Sequence, residues 1–152
     1  MGWRPTFLIT YPGGGIETVL KPAGLEKSIG LISAYFGKTD TVTWKDDHGF
    51  QEYLAFMKKY YPEGNPEDGG NSYGYAVALT FVEILKRCGD DLTRENLMRQ
   101  ATSLKDVTNP MLFPGITLNT SPTDYHPIKQ MVMRRFDGTR WVSFGEVINV
   151  RQ

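Results

Sequence analysis

The segment Ala76-Val-Ala-Leu-Thr-Phe-Val-Glu-Ile-Leu85 constrains the fold more than any other feature, because it is apolar almost all round. It predicts the middle of a strong helix that starts at Ser72 and ends at Lys86-Arg87-Cys88, with Gly89 in the C-cap role. A helix of this kind is expected to be buried on most sides. The few strands predicted elsewhere in the chain provide little cover for it, so several faces of this helix lack a predicted partner.

Several β-prone runs predict those strands. Thr6 to Thr10 predicts a buried strand that enters a glycine loop, and Gly30 to Phe36 predicts a second strand. Ile128 to Phe136 and Arg140 to Ile148 flank Asp137-Gly138, and an Asp-Gly pair between two such runs favours a β-hairpin. We expect Asp137-Gly138 to form a two-residue turn with positive φ at both residues.

Helix signals occupy the segments between these strands. Ile16 to Lys27 predicts a helix that is broken by its proline and its glycine. Asp46 or Asp47 is a candidate N-cap for a helix that stops at Pro62, and Thr93 is a candidate N-cap for another. The order strand, helix, strand, three helices and strand-rich tail predicts an α/β fold.

The composition is that of a folded globular protein of balanced charge. The 152 residues are 40% apolar, which leaves room for a core. Lysine plus arginine and aspartate plus glutamate each number 17, so the formal net charge is zero. This disfavours nucleic acid and anionic membranes as the main partners, since both require a basic surface.

Three features bear on the cellular compartment. Cys88 is the only cysteine, so no disulfide within the chain is expected and the redox compartment stays open. The opening Met1-Gly2-Trp3-Arg4-Pro5 has no basic region followed by an apolar one, so we expect no signal peptide in it. The stretch from Tyr75 to Leu85 is too short to span a bilayer.

The Gly13-Gly14-Gly15 loop lies between a predicted strand and a helix start, where free backbone N–H groups are able to hold a phosphate or a carboxylate. It lacks the ending of a P-loop and the spacing of a dinucleotide fingerprint, and a flexible turn is the alternative interpretation. Tyr11, Tyr73, Tyr75 and Trp141 are candidates for pocket walls, because aromatic rings combine apolar faces with a polar handle. Core packing is the alternative for these rings.

Catalytic and metal chemistry are disfavoured. Asp46-Asp47-His48 contains metal-type ligands, but adjacent residues at a helix start point in different directions, so a helix cap is the favoured interpretation. His126 precedes Pro127 in a turn, and no serine or cysteine elbow accompanies it. We therefore predict a protein that is not an enzyme, with no cofactor and no metal site.

Short segments spread over nearly the whole chain carry a family resemblance. They are Lys21-Pro-Ala-Gly24, Tyr60-Tyr-Pro-Glu-Gly64, Tyr73-Gly-Tyr-Ala-Val-Ala, Cys88-Gly-Asp-Asp-Leu-Thr-Arg-Glu-Asn96, Pro110-Met-Leu-Phe-Pro-Gly-Ile116, Asn119-Thr-Ser-Pro-Thr-Asp124 and Arg135-Phe-Asp-Gly138. Together they resemble the C-terminal portion of periplasmic solute-binding proteins of branched-chain amino-acid ABC transporters, the Leu/Ile/Val-binding type. The run that begins at Cys88 is quite specific.

The resemblance implies an α/β chain with an incomplete type I periplasmic-binding-protein fold, made of parts of both Rossmann-like lobes and a C-terminal β-hairpin. It implies that residues 1–30 form a late strand and helix of the second lobe and that residues 31–117 complete the first lobe. Residues 118–152 would form the last hinge crossing and the terminal hairpin of the second lobe. The uncovered faces of the apolar helix would then pack against strands that lie outside this chain.

The function that the resemblance implies is that of the substrate-binding component of an ABC importer. Such a protein captures an amino acid or a related small polar carboxylate in the periplasm and delivers it to an ABC permease. A ligand-sensing or interaction module of the same fold, without a transport role, is the alternative.

The ligand site implied by the resemblance is the second-lobe wall of the cleft, formed by Thr10, Tyr11, Gly13 and Gly14, together with Gly15. In the family this loop often carries an acidic or polar side chain for the ligand's amino group. No carboxylate stands there in this chain, which disfavours simple branched-chain amino acids. The isolated chain is expected to expose apolar surface on the helices at 50–61 and 73–88, and therefore to self-associate.

Overall fold

The structure, a computed structural model, describes residues 5–149. Within that range the strands β1 (Ile32–Tyr35), β2 (Gln130–Phe136) and β3 (Trp141–Asn149) form an antiparallel sheet in the order β1-β2-β3. Leu8 lies beside Ile32 in a parallel bridge, in which the Ile9 amide donates to the Ile32 carbonyl at 2.9 Å. The chain therefore combines parallel and antiparallel pairing around β1.

A series of short turns follows the Leu8 bridge. A 3-10 turn (Tyr11–Gly14) leads to a π-helical turn (Ile16–Leu20), and then to the short helices α1 (Lys21–Ala23) and α2 (Leu25–Ser28). Gly24, with φ at 100°, separates α1 from α2, because few other residues adopt that conformation. The predicted broken helix is therefore confirmed.

Three longer helices occupy the middle of the chain: α3 (His48–Tyr60), α4 (Gly69–Cys88) and α5 (Arg94–Ala101). Their first turns are capped by the side chains of Asp47, Asp68 and Thr93, as acceptors for backbone N–H groups. The caps predicted at Asp47 and Thr93 and the C-cap at Gly89 are confirmed. The predicted start of α4 at Ser72 is wrong, because Asp68 accepts from the Gly70 amide at 2.8 Å and begins the helix at Gly69.

Most of the buried apolar side chains among residues 5–149 form three separate clusters. One joins α3 to Met111 through Phe50, Tyr53 and Met57. A second lies where α4, the segment after α5 and β2 meet, and contains Ile84, Leu104, Val107, Leu112, Ile116, Leu118 and Val132. The third lies against the sheet and contains Leu20, Phe136 and Trp141. The chain is held together by several small cores and not by one large one.

The prediction of a buried strand at Thr6 to Thr10 is wrong. Leu8 is 69% exposed and Phe7 is also exposed, and the segment contributes only an isolated bridge. It lies beside β1 at the edge of the sheet, where the described residues leave both of these side chains uncovered. Its backbone does pair as expected, since the Ile32 amide donates to the Phe7 carbonyl at 2.9 Å.

Burial of α4 on most sides is also contradicted within the described chain. Only Ser72, Ile84 and Cys88 of this helix are buried, and Phe81 is 47% exposed, with Val77 and Val82 similar. The helix packs against α5, against α3 through Tyr75, and against the neighbouring loops, whereas the side chains of Val77, Phe81 and Val82 are left about half exposed by residues 5–149. The exposed apolar surface expected from the resemblance is therefore present. None of the described helices is long and apolar enough to cross a membrane.

The C-terminal hairpin is confirmed, but its turn is longer than predicted. Phe136 pairs with Trp141, so the four residues from Asp137 to Arg140 connect the strands. Gly138 has φ at 110°, whereas Asp137 does not have positive φ. The Asp137 carboxylate explains the difference, because it accepts from the backbone amides of Thr139 and Arg140 at 2.8 Å each.

Candidate functional site

A cleft of about 180 Å³ opens between the glycine loop and the first turn of α4. One wall consists of the loop and two side chains of the hairpin, and the other consists of the residues that precede and begin α4. The first wall contains Tyr11, Gly14, Gly15, Arg134 and Trp141, and the second contains Glu67, Asp68, Gly69 and Gly70. The cleft therefore joins three distant parts of the sequence.

The glycine loop is fastened to the hairpin at Gly14. The Trp141 indole Nε1 donates to the Gly14 carbonyl at 2.8 Å, in a buried hydrogen bond. A Cβ atom at Gly14 would lie 3.0 Å from Cζ2 of Trp141, which is too close for an ordinary contact. Glycine is thus required here for close approach to the indole, and not for a positive φ.

Tyr11 connects the loop to β1 and to α4. Its ring stacks on the ring of Tyr35, with centroids 3.7 Å apart and planes 4° from parallel. A Cβ atom at Gly69 would lie 1.8 Å from the Tyr11 hydroxyl oxygen, so this hydroxyl reaches the backbone at the start of α4. Burial raises the pKa of Tyr11 and that of Tyr35, which keeps both phenols neutral at neutral pH.

Arg134 on β2 forms the floor of the cleft and is only 5% exposed. Its guanidinium carbon Cζ lies 4.6 Å from the ring of Trp141, 5.0 Å from that of Tyr35 and 5.2 Å from that of Tyr11. Desolvation lowers the pKa of Arg134 to about 10, so the group is still charged at neutral pH. The sequence analysis missed this residue, although alternation along β2 places Arg134 on the same side as the buried Val132 and Phe136.

The opposite wall carries two acidic side chains. Glu67 accepts from the Thr41 amide at 3.2 Å and from the Thr41 hydroxyl. Asp68 accepts from the Gly70 amide as the cap of α4. Both carboxylates are exposed, and neither forms an ion pair with any residue of the described chain. The cleft therefore presents a buried cation on one side and hydrated anions on the other.

The predicted site residues divide into two groups. Tyr11, Gly14 and Gly15 line the cleft, whereas Thr10 is exposed and Gly13 is half-buried outside the lining. The Gly13 amide donates to the Thr10 carbonyl at 3.1 Å, so this pair shapes the turn.

The other aromatic candidates separate in the same way. Trp141 lines the cleft, but Tyr75 packs against Tyr53 and Phe56, which favours the core-packing alternative for it. Tyr73 is half exposed on α4 and does not line the cleft.

Of the residues considered for catalysis or metal binding, Asp47 has a structural role. Asp47 caps α3 and pairs with Lys38 at 2.7 Å. His48 and His126 are exposed and lie near Glu52 and Asp124, respectively. Within residues 5–149, no group of three or more His, Cys, Asp or Glu side chains is arranged to hold a metal ion.

Comparison with known proteins gives a match to a family model and a match to a solved structure. The family model described as periplasmic binding protein matches residues 1–140. A crystal structure of a branched-chain amino acid ABC transporter from Thermus thermophilus with bound valine matches with a TM-score of 0.75 and 17% identity. The match covers 97% of this chain and 40% of that one. No curated protein sequence matches. The expected fold, an incomplete periplasmic-binding-protein fold, is thereby confirmed.

Proposed function

The chain belongs to the periplasmic binding protein family, and from this we propose that it is part of the substrate-binding component of an ABC importer. The observation that carries the proposal is the match of the family model over residues 1–140, nearly the full chain. We further propose an amino acid or a related small polar carboxylate as the solute. The matched structure contains bound valine, which supports a solute of that class. We place the protein in the periplasm by family, with an ABC permease as its partner.

The chain would provide parts of two lobes. We propose that residues 1–30 belong to the second lobe, that residues 31–117 complete the first lobe, and that residues 118–152 return to the second lobe. On this proposal the crossing between lobes begins at residue 31, and β1, which pairs with β2 of the hairpin, belongs to that crossing. The chain spans 40% of the length of the matched structure, so the rest of the first lobe would come from residues outside it. Closure of two lobes on a solute would bury it and stabilise the closed state.

The proposed ligand wall is the loop of Thr10, Tyr11, Gly13 and Gly14, with Gly15. Tyr11 and Gly14 face the cleft, and Thr10 and Gly13 set the turn that positions them. Tyr11 offers the solute one ring edge and one hydroxyl group. The hydroxyl lies at the start of α4, so contact with the solute would involve both walls of the cleft.

Calorimetry on the complete two-lobed protein tests this function. We expect it to bind an α-amino acid, and the Tyr11→Ala variant to bind it more weakly by about 1–3 kcal/mol, the scale of a lost buried polar partner and its packing. The 152-residue chain alone should not bind measurably, because about half of the solute contacts would be missing. Thr123→Ala, in an exposed turn away from the cleft, is the matched control. Tight binding by the chain alone would contradict the two-lobe mechanism, and unchanged affinity in Tyr11→Ala would remove the loop from the site.

A further inference from the structure

Arg134 carries a buried charge that has no anionic partner in the described part of the chain. It is 5% exposed, and its guanidinium forms no ion pair or hydrogen bond with any residue in the range 5–149. Its Nε atom is fully buried and has no acceptor among the described residues. A buried charge is normally paired, because removing it from water is unfavourable unless an anion or a set of hydrogen bonds compensates.

The aromatic rings around Arg134 compensate for only part of the hydration that its charge loses on burial. The rings of Tyr11, Tyr35 and Trp141 all lie within 5.2 Å of the guanidinium carbon, which is within the range of cation–π attraction. Neither tyrosine provides a negative charge, because burial raises the pKa of both phenols. Rings hold a guanidinium by its faces and leave its N–H donors, which lie in the plane, without acceptors.

These donors are next to the cleft. Arg134 lines it, and a Cβ atom at Gly14 would lie 3.5 Å from Nη2 of Arg134. The absence of a side chain at Gly14 therefore leaves the guanidinium accessible from the loop. A planar guanidinium with free N–H groups matches the two oxygens of a carboxylate.

We propose that Arg134 binds the carboxylate group of the solute, and that the cleft selects solutes with one carboxylate and one ammonium group. This inference rests on the proposed function and specifies its solute. Glu67 and Asp68 on the opposite wall favour the ammonium group and disfavour a second carboxylate there. The carboxylate thus faces the glycine-loop wall, where the resemblance would lead one to expect the amino group.

The test compares acids with their amides, measured by calorimetry on the complete two-lobed protein. The probes are α-amino acids, valine among them, each paired with its carboxamide, which keeps the ammonium group but has no negative charge. We expect the acid to bind at least about tenfold more tightly than the amide, the lower end of the range for hydrogen bonds to charged groups. Glutamate, with a second carboxylate, should bind more weakly than its neutral analogue glutamine.

Variants identify the residue responsible. Arg134→Met should weaken binding of the acid about 10- to 150-fold and leave binding of the amide nearly unchanged. Arg134→Lys should keep part of the preference, because it keeps the charge but not the planar pair of donors. Arg135→Met is the matched control, since Arg135 is the next residue on β2, is exposed, and does not line this cleft. A purely structural role for Arg134 would lower affinity for acid and amide alike.

The outcomes separate this inference from the proposed function. Equal binding of acid and amide by the wild-type protein, or an undiminished preference in Arg134→Met, would overturn the role of Arg134 and leave the importer function standing. If Arg134→Met does not fold, the comparison of acid and amide binding in the wild-type protein and in Arg134→Lys still tests the role of Arg134. Binding of a neutral sugar in place of every amino acid and amide would overturn the proposed solute class together with this inference. Failure to bind any of these probes would count against both the function and the inference.

Discussion

Replacement of Lys38 by methionine should destabilise the fold by about 2–3 kcal/mol. Lys38 is 5% exposed, and its ammonium group donates to Asp47 at 2.7 Å and to the Pro110 carbonyl at 2.8 Å. Its own amide donates to the Met111 carbonyl at 2.8 Å. One side chain thus joins the segment after β1 to residues 110–111 and to the cap of α3.

The magnitude follows from what the substitution leaves behind. Breaking a fully buried ion pair costs about 3–5 kcal/mol, because the remaining charge is buried and uncompensated. The Asp47 side chain is 28% exposed, so water replaces part of the lost contact, and Asp47 still accepts from the Phe50 amide at 2.9 Å. The Pro110 carbonyl also loses its charged donor. These conditions place the cost below the fully buried range and above that of a surface pair, about 0–1 kcal/mol.

Urea unfolding followed by tryptophan fluorescence measures the change, since the Lys38 Nζ atom lies 5.0 Å from the Trp44 ring centre. Lys45→Met is the matched control, because the Lys45 side chain is 70% exposed and lies 3.9 Å from Asp46. It should change stability by less than about 0.5 kcal/mol. A double-mutant cycle with Asp47→Asn should give a coupling free energy above about 1 kcal/mol. A Lys38→Met protein as stable as the Lys45→Met protein would refute the reasoning.

Further predictions concern pH, the hairpin turn and the exposed helix. Burial acts to raise the pKa of Asp47, but its hydrogen bonds with Lys38 and the Phe50 amide outweigh this and hold the pKa below its usual value. The contribution of Asp47 to stability should therefore be complete above the pKa of aspartate in the unfolded chain, about 3.9, and should be lost as the pH falls through the lower pKa of the folded state. The free energy of unfolding of Asp47→Asn should depend less on pH in this acid range. Gly138→Val should lower the free energy of unfolding, measured by chemical denaturation, by about 1 kcal/mol or more. A φ of 110° strains a β-branched residue, and a Cβ atom at position 138 would lie 3.2 Å from Ile29. An unchanged unfolding midpoint would contradict this prediction. The isolated chain should self-associate, as measured by light scattering, and should bind the dye ANS through the exposed face of α4. Phe81→Lys should reduce both the self-association and the dye binding. A compact monomer that does not bind the dye would contradict this prediction.

Local signals in the sequence predicted the local structure well. The caps at Asp47 and Thr93 and the C-cap at Gly89 depend on chemistry within a few residues, and all three are present. The predicted start of α4 at Ser72 is wrong because Asp68 competes with Ser72 as the N-cap, and N-cap preferences alone do not rank aspartate against serine. The hairpin turn differs from the prediction for a similar reason, since the Asp137 carboxylate accepts two hydrogen bonds from backbone amides and stabilises a longer turn than the expected two-residue turn.

Only part of the candidate site could be predicted from the sequence. The loop at Tyr11 and Gly14 could be predicted because a strand end followed by glycines is a local pattern. Arg134 could not be associated with it, because the contact joins residues on β2 to a loop more than a hundred positions earlier in the chain. An arginine on the buried side of a strand indicates an unusual environment, but nothing near it in the sequence identifies the rings of Tyr11 and Tyr35, which come from distant parts of the chain.

The contact between Tyr11 and Gly69 has a consequence for how this sequence is able to diverge. A methyl group at position 69 would lie 1.8 Å from the Tyr11 hydroxyl oxygen and 2.9 Å from ring carbon Cζ, so loss of the hydroxyl alone does not make room for it. A larger residue at position 69 therefore requires a shorter side chain at position 11, whereas position 11 is able to become shorter alone. A larger residue at 69 beside Tyr11 would push the glycine loop away from α4 and widen the cleft. Among descendants of this chain, a residue larger than glycine at position 69 should thus indicate that no phenol at position 11 extends to α4.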